Sequence, residues 1–244
     1  MTKVGFFQFA PQNRTVHENI KFIITSLQKE HDSLVVLPEL FLQSYYDFEN
    51  FSNQGLTNIL LNLLVLSKRN RLAFVGSLPV KIGKSVRNRS YYIRNGMISK
   101  ISDKQKLYLQ EKEIFESGSG LRSYFKYKNL LFTSCVCLDV LNPLIAKAAV
   151  RNGIDLFIVN ATVSVDFLRI ITKSRSFENQ IVTIFANRCG KEKNGIKYLG
   201  NSAIFLPDGR EKTVDDEEGV FTSVEILQKD LIYMRKMRKE FRIL

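Results

Sequence analysis

Residues 33–40 read SLVVLPEL, an apolar run that stops at Pro38 and then at an acid, Glu39. The run is too short for a helix and reads as a buried strand, which the proline ends. An acid closing such a strand faces a cleft, a partner or solvent. On both sides the pattern turns helical. TVHENIKFIITSLQKE (15–30) repeats apolar residues at Ile20, Ile23, Ile24 and Leu27, and LTNILLNLLVLSKRN (56–70) forms a second helix. KVGFFQFA (3–10) and RLAFVGSLPV (71–80) are strands. This β-α-β-α-β opening predicts a mixed α/β protein with a sheet covered by helices on one side.

The middle of the chain changes character. NRSYYIRNGMISKISDKQKLYL (88–109) reads as two antiparallel strands about Arg94-Asn95-Gly96, and LRSYFKYKNLLFTSCVC (121–137) repeats the pattern about Lys128-Asn129. Helix and strand then alternate through NPLIAKAAVRNG (142–153), IDLFIVNA (154–161), FLRIITKSRSFENQ (167–180) and IVTIFANRCG (181–190). Strands about LPDGR (206–210) and a short basic helix finish the chain. There is no linker, low-complexity segment or internal repeat, so residues 1–244 are expected to form a single domain.

Of the 244 residues, 45% are hydrophobic and 25% charged, which suits a chain with a substantial core. The net charge of +12 is compatible with nucleic acid, an acidic lipid surface or anionic substrates, or with nothing more than a solvated lysine-rich surface. Basic residues are scattered except in MRKMRKEFRIL (234–244), and no nucleic-acid-binding motif accompanies them. The N-terminus lacks the features of a signal peptide, and NILLNLLVL (58–66) is too short to span a membrane. The expectation is a cytoplasmic protein with no membrane partner and no stable disulfides.

The residue inventory limits the chemistry. The two histidines, His17 and His31, fall in and just after the first helix, where they read as surface residues. Cys135 and Cys137 lack a second pair of ligands and the spacing of a zinc knuckle, so no metal is expected. A Cys-x-x-Cys redox motif is also missing. A reactive thiol here needs a carboxylate as base and a lysine for positive charge. Three places are candidates. Glu39 ends its strand, with an exposed loop carboxylate as the alternative. Lys106 shares a strand face with Tyr108 by alternation, with a solvated face as the alternative. Cys137 falls at a strand-to-helix turn, where free backbone N–H groups lower a thiol pKa and can hold an oxyanion, with a small core residue as the alternative. That alternative suits Cys135 and Cys189.

Read together, these segments resemble the nitrilase superfamily of carbon–nitrogen hydrolases, which use a Glu-Lys-Cys triad. FFQFAP (6–11) with Asn19 resembles the family's opening strand. VVLPELF (35–41) resembles the segment that presents the glutamate, which implies Glu39. NRSYYIRNGMI (88–98) resembles the hairpin before the lysine. KLYL (106–109) is similar to the Lys-x-His-Leu segment, with Tyr108 replacing His, which implies Lys106. EKEIFESG (111–118) is similar to the family's Glu-x-x-x-Phe-x-x-Gly. Counting back from Gly118 and Phe115 implies Glu111 as a second cleft glutamate, whereas counting forward from Lys106 would give Glu113. CLDVLNP (137–143) resembles Cys-aromatic-Asp-x-x-x-Pro and implies Cys137 as nucleophile. RSFENQIVTIFANRCG (175–190) and GNSAIFLPDG (200–209) resemble later segments. Departures are Leu138 for the aromatic residue, Leu141, Asn142 and Leu144 for Arg, Phe and Glu, and Asn160 for a frequent Pro.

The resemblance implies a four-layer α-β-β-α sandwich and hydrolysis of an amide or N-carbamoyl bond of a small molecule through a thioester on Cys137. Glu39 would serve as base, and Lys106 with the Leu138 N–H as oxyanion donors. Leu138 and Asn160 would line the substrate site. No metal or organic cofactor is implied, and a homodimer or larger homo-oligomer is. A nitrilase acting on C≡N is the alternative enzyme. A catalytically silent, nucleic-acid-binding protein on the same scaffold is the alternative from another class.

Overall fold

Thr15 and Glu18 fix where the first helix begins. The Thr15 hydroxyl accepts from the Glu18 N–H while the Glu18 carboxylate accepts from the Thr15 N–H at 2.8 Å. This reciprocal cap satisfies two donors that a helix start leaves open. Helix α1 (Val16–Leu27) then buries Ile20, Ile23 and Leu27 on one face. The computed structural model describes residues 1–45 and 53–241, the side chains of 53–57 excepted.

Strands β1 (Thr2–Gln8), β2 (Ser33–Val36) and β3 (Ala73–Ile82) run parallel, linked by α1 and α2 (Asn53–Asn70). Strands β4 (Ser85–Arg94) and β5 (Met97–Asp103) follow antiparallel. Their connection sets φ to 52° at Asn95 and 80° at Gly96, the paired positive angles that a two-residue hairpin turn requires.

A one-turn helix, α3 (Glu111–Ile114), leads to the second sheet. There β6 (Phe125–Tyr127) lies antiparallel to β7 (Leu130–Val136), and β7, β8 (Leu156–Asn160) and β9 (Val182–Ala186) run parallel. Helices α4 (Pro143–Arg151) and α5 (Phe167–Asn179) make the crossovers. A ribbon of β10 (Cys189–Lys191) and β11 (Lys197–Leu199) stands apart. Strands β12 (Ala203–Phe205) and β13 (Glu211–Thr213) complete the second sheet, and β14 (Val220–Ile226) returns to pair with β1 at the edge of the first. Helix α6 (Gln228–Glu240) follows.

Each six-stranded sheet therefore has three parallel central strands with antiparallel neighbours. Val4, Phe6, Val36 and Val75 of one sheet meet Phe132, Ile158 and Ile184 of the other, all fully buried. Helices α1 and α2 cover the outer face of the first sheet, and α4 and α5 that of the second. The order is helix, sheet, sheet, helix, the four layers expected. Each buried aliphatic side chain contributes about 1.5–3 kcal/mol relative to exposure, so this two-sided burial outweighs any single polar contact. Parallel strands force the site-bearing turns after β2, β7 and β8 to one end of the sandwich.

Candidate active site

After β2 the chain turns at Pro38, and Leu40 takes a left-handed φ of 50°. The turn sends Glu39 inward, where it is fully buried. The exposed-carboxylate alternative is thereby excluded. Glu39 Oε1 accepts from Asn88 Nδ2 at 2.8 Å and from a lysine Nζ at 2.7 Å. That lysine is Lys104. The same Nζ donates to Glu111 Oε1 at 2.6 Å, and Lys104 is 1% exposed.

The expectation for Lys106 is corrected here. Strand β5 stops at Asp103, so alternation does not carry on to residue 106. The chain is held instead by its backbone. Lys104 N donates to Asn88 O, and Gly118 N donates to Lys104 O, each at 2.8 Å. A side chain at Gly118 would meet the Asp103 carbonyl oxygen at 2.6 Å. Lys106 points to solvent, and only its backbone N–H enters the site region, donating to Asp139 Oδ1 at 2.8 Å. The step from Lys106 to Glu113 is seven residues, and the same step from Lys104 reaches Glu111. That spacing was the signal in the sequence. Glu111 is buried and accepts from the Tyr108 N–H at 2.6 Å, whereas Glu113 is exposed.

Cys137 follows β7 directly and opens a short 3-10 turn with a φ of 50°. A non-glycine residue in that region is strained, and here the strain aims the thiol into a cavity. Cys137 is 4% exposed and lines the cavity, while Cys135 is fully buried in the strand beneath. Asp139, two residues on, accepts from the backbone N–H groups of Gln105 and Lys106 and so ties the cysteine turn to the lysine loop. Among the described residues no cluster of His, Cys, Asp and Glu could hold a metal. His17 and His31 are both exposed.

The family model for carbon–nitrogen hydrolases matches residues 4–226. The chain belongs to the carbon–nitrogen hydrolase family. It is 26% identical to a probable nitrilase of Schizosaccharomyces pombe over 90% of this chain and 86% of that one. It is 21% identical to the omega-amidase YafV of Escherichia coli K12, over 85% and 81% respectively. Among solved structures, the amidase from Nesterenkonia sp. AN1 superposes with a TM-score of 0.83 at 22% identity, covering 99% of this chain and 98% of that one. Hydrolysis of a carbon–nitrogen bond is the activity this family carries.

The electrostatics of the site depart from a preformed thiolate. Burial, and then the charge of Glu39, push the Cys137 thiol well above its usual range, and Lys104 offsets only part of this. The lowered thiol pKa expected at this turn is therefore corrected. Burial also raises Glu39, opposed by Lys104 and reinforced by Glu111. Burial alone would lower Lys104, but the charges of Glu39, Cys137 and Glu111 more than reverse it, so Lys104 stays an ammonium. The Cys137 thiol hydrogen-bonds the Glu39 carboxyl and opposes part of the rise that burial causes.

The cavity in front of the hydrolase's cysteine holds about 160 Å³, with Leu138, Val163, Val165, Phe167 and Ile196 as its apolar wall. Tyr45, Tyr108, Tyr198 and Thr162 add hydroxyls. Leu138 is part of this wall. Asn160 does not. It lies between the sheets, its Nδ2 donating to Leu37 O at 2.8 Å and its Oδ1 accepting from Ser90 Oγ at 3.1 Å. It braces the turn behind Glu39 and does not reach the cavity. The sequence reading also passed over Tyr45, whose phenol is raised by burial and by Glu39 and Glu111, and which hydrogen-bonds the Glu111 carboxylate. An isolated tyrosine next to a loop carries no sequence signal of such a role.

Proposed function

We propose that Cys137 is the nucleophile, Glu39 the general base and Lys104 the oxyanion donor. The observation that carries this reading is a lone buried ammonium held by two buried carboxylates beside a buried thiol. Glu39 takes the thiol proton as Cys137 attacks the amide carbon. Lys104 uses two of its three N–H donors on the carboxylates, and the third serves the oxyanion together with the backbone N–H of Leu138. A well-placed donor of this kind contributes about 3–4 kcal/mol. Protonated Glu39 then gives its proton to the leaving amine. Water, activated by Glu39, hydrolyses the thioester. Glu111 anchors Lys104. A small, mostly apolar cavity suits a short acyl or carbamoyl group.

Residues 1–244 act in this reading as one catalytic domain in the cytoplasm. Among the described residues no helix is long and apolar enough to cross a membrane. Two copies pair through the outward side of α4 and α5, where Leu144, Phe167, Ile170 and Phe177 are exposed. No nucleic-acid partner is invoked, because the basic Arg235 and Arg238 of α6 are engaged internally by Asp155. Light scattering of the purified protein checks the dimer.

The test of the site compares two cysteines. Cys137→Ala is expected to abolish hydrolysis of an amide and N-carbamoyl panel, and Cys135→Ala to keep most of it. Equal loss in two folded variants rejects the assignment.

A further inference from the structure

Arg188 is the largest fully buried side chain among the described residues, and it lies behind Glu39 rather than in the cavity. Its Nε and Nη2 donate to Glu39 O at 3.0 and 2.9 Å, and Nη2 also donates to Leu40 O at 2.6 Å. These are the carbonyls on either side of the left-handed turn at Leu40. Thr162 Oγ1 adds a further donor to Glu39 O at 3.2 Å. Arg188 Nη1 has no hydrogen-bond partner among the described residues but sits 3.7 Å from Glu192 Oε1.

Glu192, itself 4% exposed, lies in the connection between β10 and β11. Its oxygens accept from Ser44 Oγ at 2.9 Å, the Tyr45 N–H at 3.1 Å and the Tyr198 hydroxyl at 3.2 Å. Tyr45 and Tyr198 line the cavity, and Tyr45 reaches Glu111. A buried guanidinium costs several kcal/mol unless it is paired, so its retention here calls for a role.

We infer that the buried Arg188–Glu192 pair is a positioning device for the catalytic centre, holding the Glu39 turn from behind and the tyrosine wall in front. The inference rests on Glu39 being the general base. One fork of Arg188 fixes the backbone from which Glu39 projects, and its charge is met by the carboxylate that fixes Tyr45. A shift of about 1 Å at a base can cost on the order of a hundredfold in rate. Arg188→Lys keeps the charge and loses the fork. It is expected to lower kcat about tenfold or more, with KM changed less than about twofold.

A readout that packing alone would not move is the acid limb of the pH–rate profile, which reports Glu39. The charged or titratable groups about Glu39 are Lys104, Glu111, Cys137, Arg188 and Tyr45, with Glu192 behind Arg188. Arg188→Met removes a positive charge and shifts the limb to higher pH. Glu192→Gln leaves Arg188 unneutralised and shifts it to lower pH. Each shift should reach about half a pH unit, and the double variant should return the limb to its wild-type position. Glu192→Gln is nearly isosteric and keeps the experiment open if Arg188→Met does not fold. Reduced melting temperatures with unchanged kcat and an unmoved limb overturn the inference. Glu39→Gln is measured alongside. If it stays active, the base assignment falls and the inference with it. If it is dead while Glu192→Gln behaves as wild type, only the positioning role fails.

Discussion

Two buried ionic clusters in this molecule differ in how completely they are satisfied. Asp155, at the start of β8, takes Arg235 Nε and Arg238 Nη2 on one oxygen at 2.9 and 3.2 Å. Its other oxygen takes Arg235 Nη2 at 2.6 Å and the Leu131 N–H at 3.3 Å. The carboxylate is saturated and answered by two guanidiniums. The cluster beneath Cys137 is the reverse. Two carboxylates share one ammonium. The first arrangement holds α6 to the second sheet. The second keeps a buried base beside the thiol, and burial brings its carboxyl toward the pH at which it must take a proton.

The sharpest way to break this contrast is to neutralise one acid in each cluster. Glu39→Gln is expected to reduce kcat by roughly 10²–10⁴-fold, the usual span for loss of a general base. Asp155→Asn should leave kcat of the folded protein near wild type. It should cost about 3–5 kcal/mol of stability in chemical denaturation, because two guanidiniums lose their counter-charge.

The same substitutions should separate in stability. The folded pKa of Glu39 is raised above its unfolded value. The site thus favours the protonated form, and the cost of holding a carboxylate there is met as pH rises through the folded pKa. Glu39→Gln removes that cost. It should stabilise the protein at pH 7, and the gain should fade as the pH falls below the raised folded pKa toward the ordinary carboxylate range. A loss of stability at pH 7 contradicts the account of Glu39.

Cys137 supplies a smaller prediction. Since burial and Glu39 push its thiol up, alkylation by iodoacetamide should accelerate through and above pH 9, with no thiolate plateau near neutrality. Asp139→Asn should lower kcat about tenfold, through a loosened lysine loop, with little change in KM.

Much of this was legible in the sequence because the fold repeats simple devices. The Asn95-Gly96 turn and the apolar runs at 34–37 and 156–159 each say locally what the chain does globally. Glu39 and Cys137 were legible because each sits where a strand stops. Lys104 was not, because nothing local marks β5 as ending at Asp103 rather than at Leu109. Three lysines lie within nine residues of one another at 104, 106 and 112, and alternation cannot choose among them. The choice is made by Asp139 and Gly118, which fix the loop from 35 and 14 positions away. Asn160 misled for a related reason. It ends an apolar strand, near where Glu39 follows one, but its side chain lies between the sheets and satisfies backbone carbonyls there.

The central claim is that one particular lysine completes the site, and it is tested most directly by kcat/KM of Lys104→Met and Lys106→Met on the best amide of the panel. The account predicts a fall of at least about 10³-fold for Lys104→Met, from loss of the oxyanion donor and of the charge between two carboxylates, and a change under about twofold for Lys106→Met. A folded Lys104→Met protein that hydrolyses amide as the wild type does, or a Lys106→Met protein that does not, contradicts it.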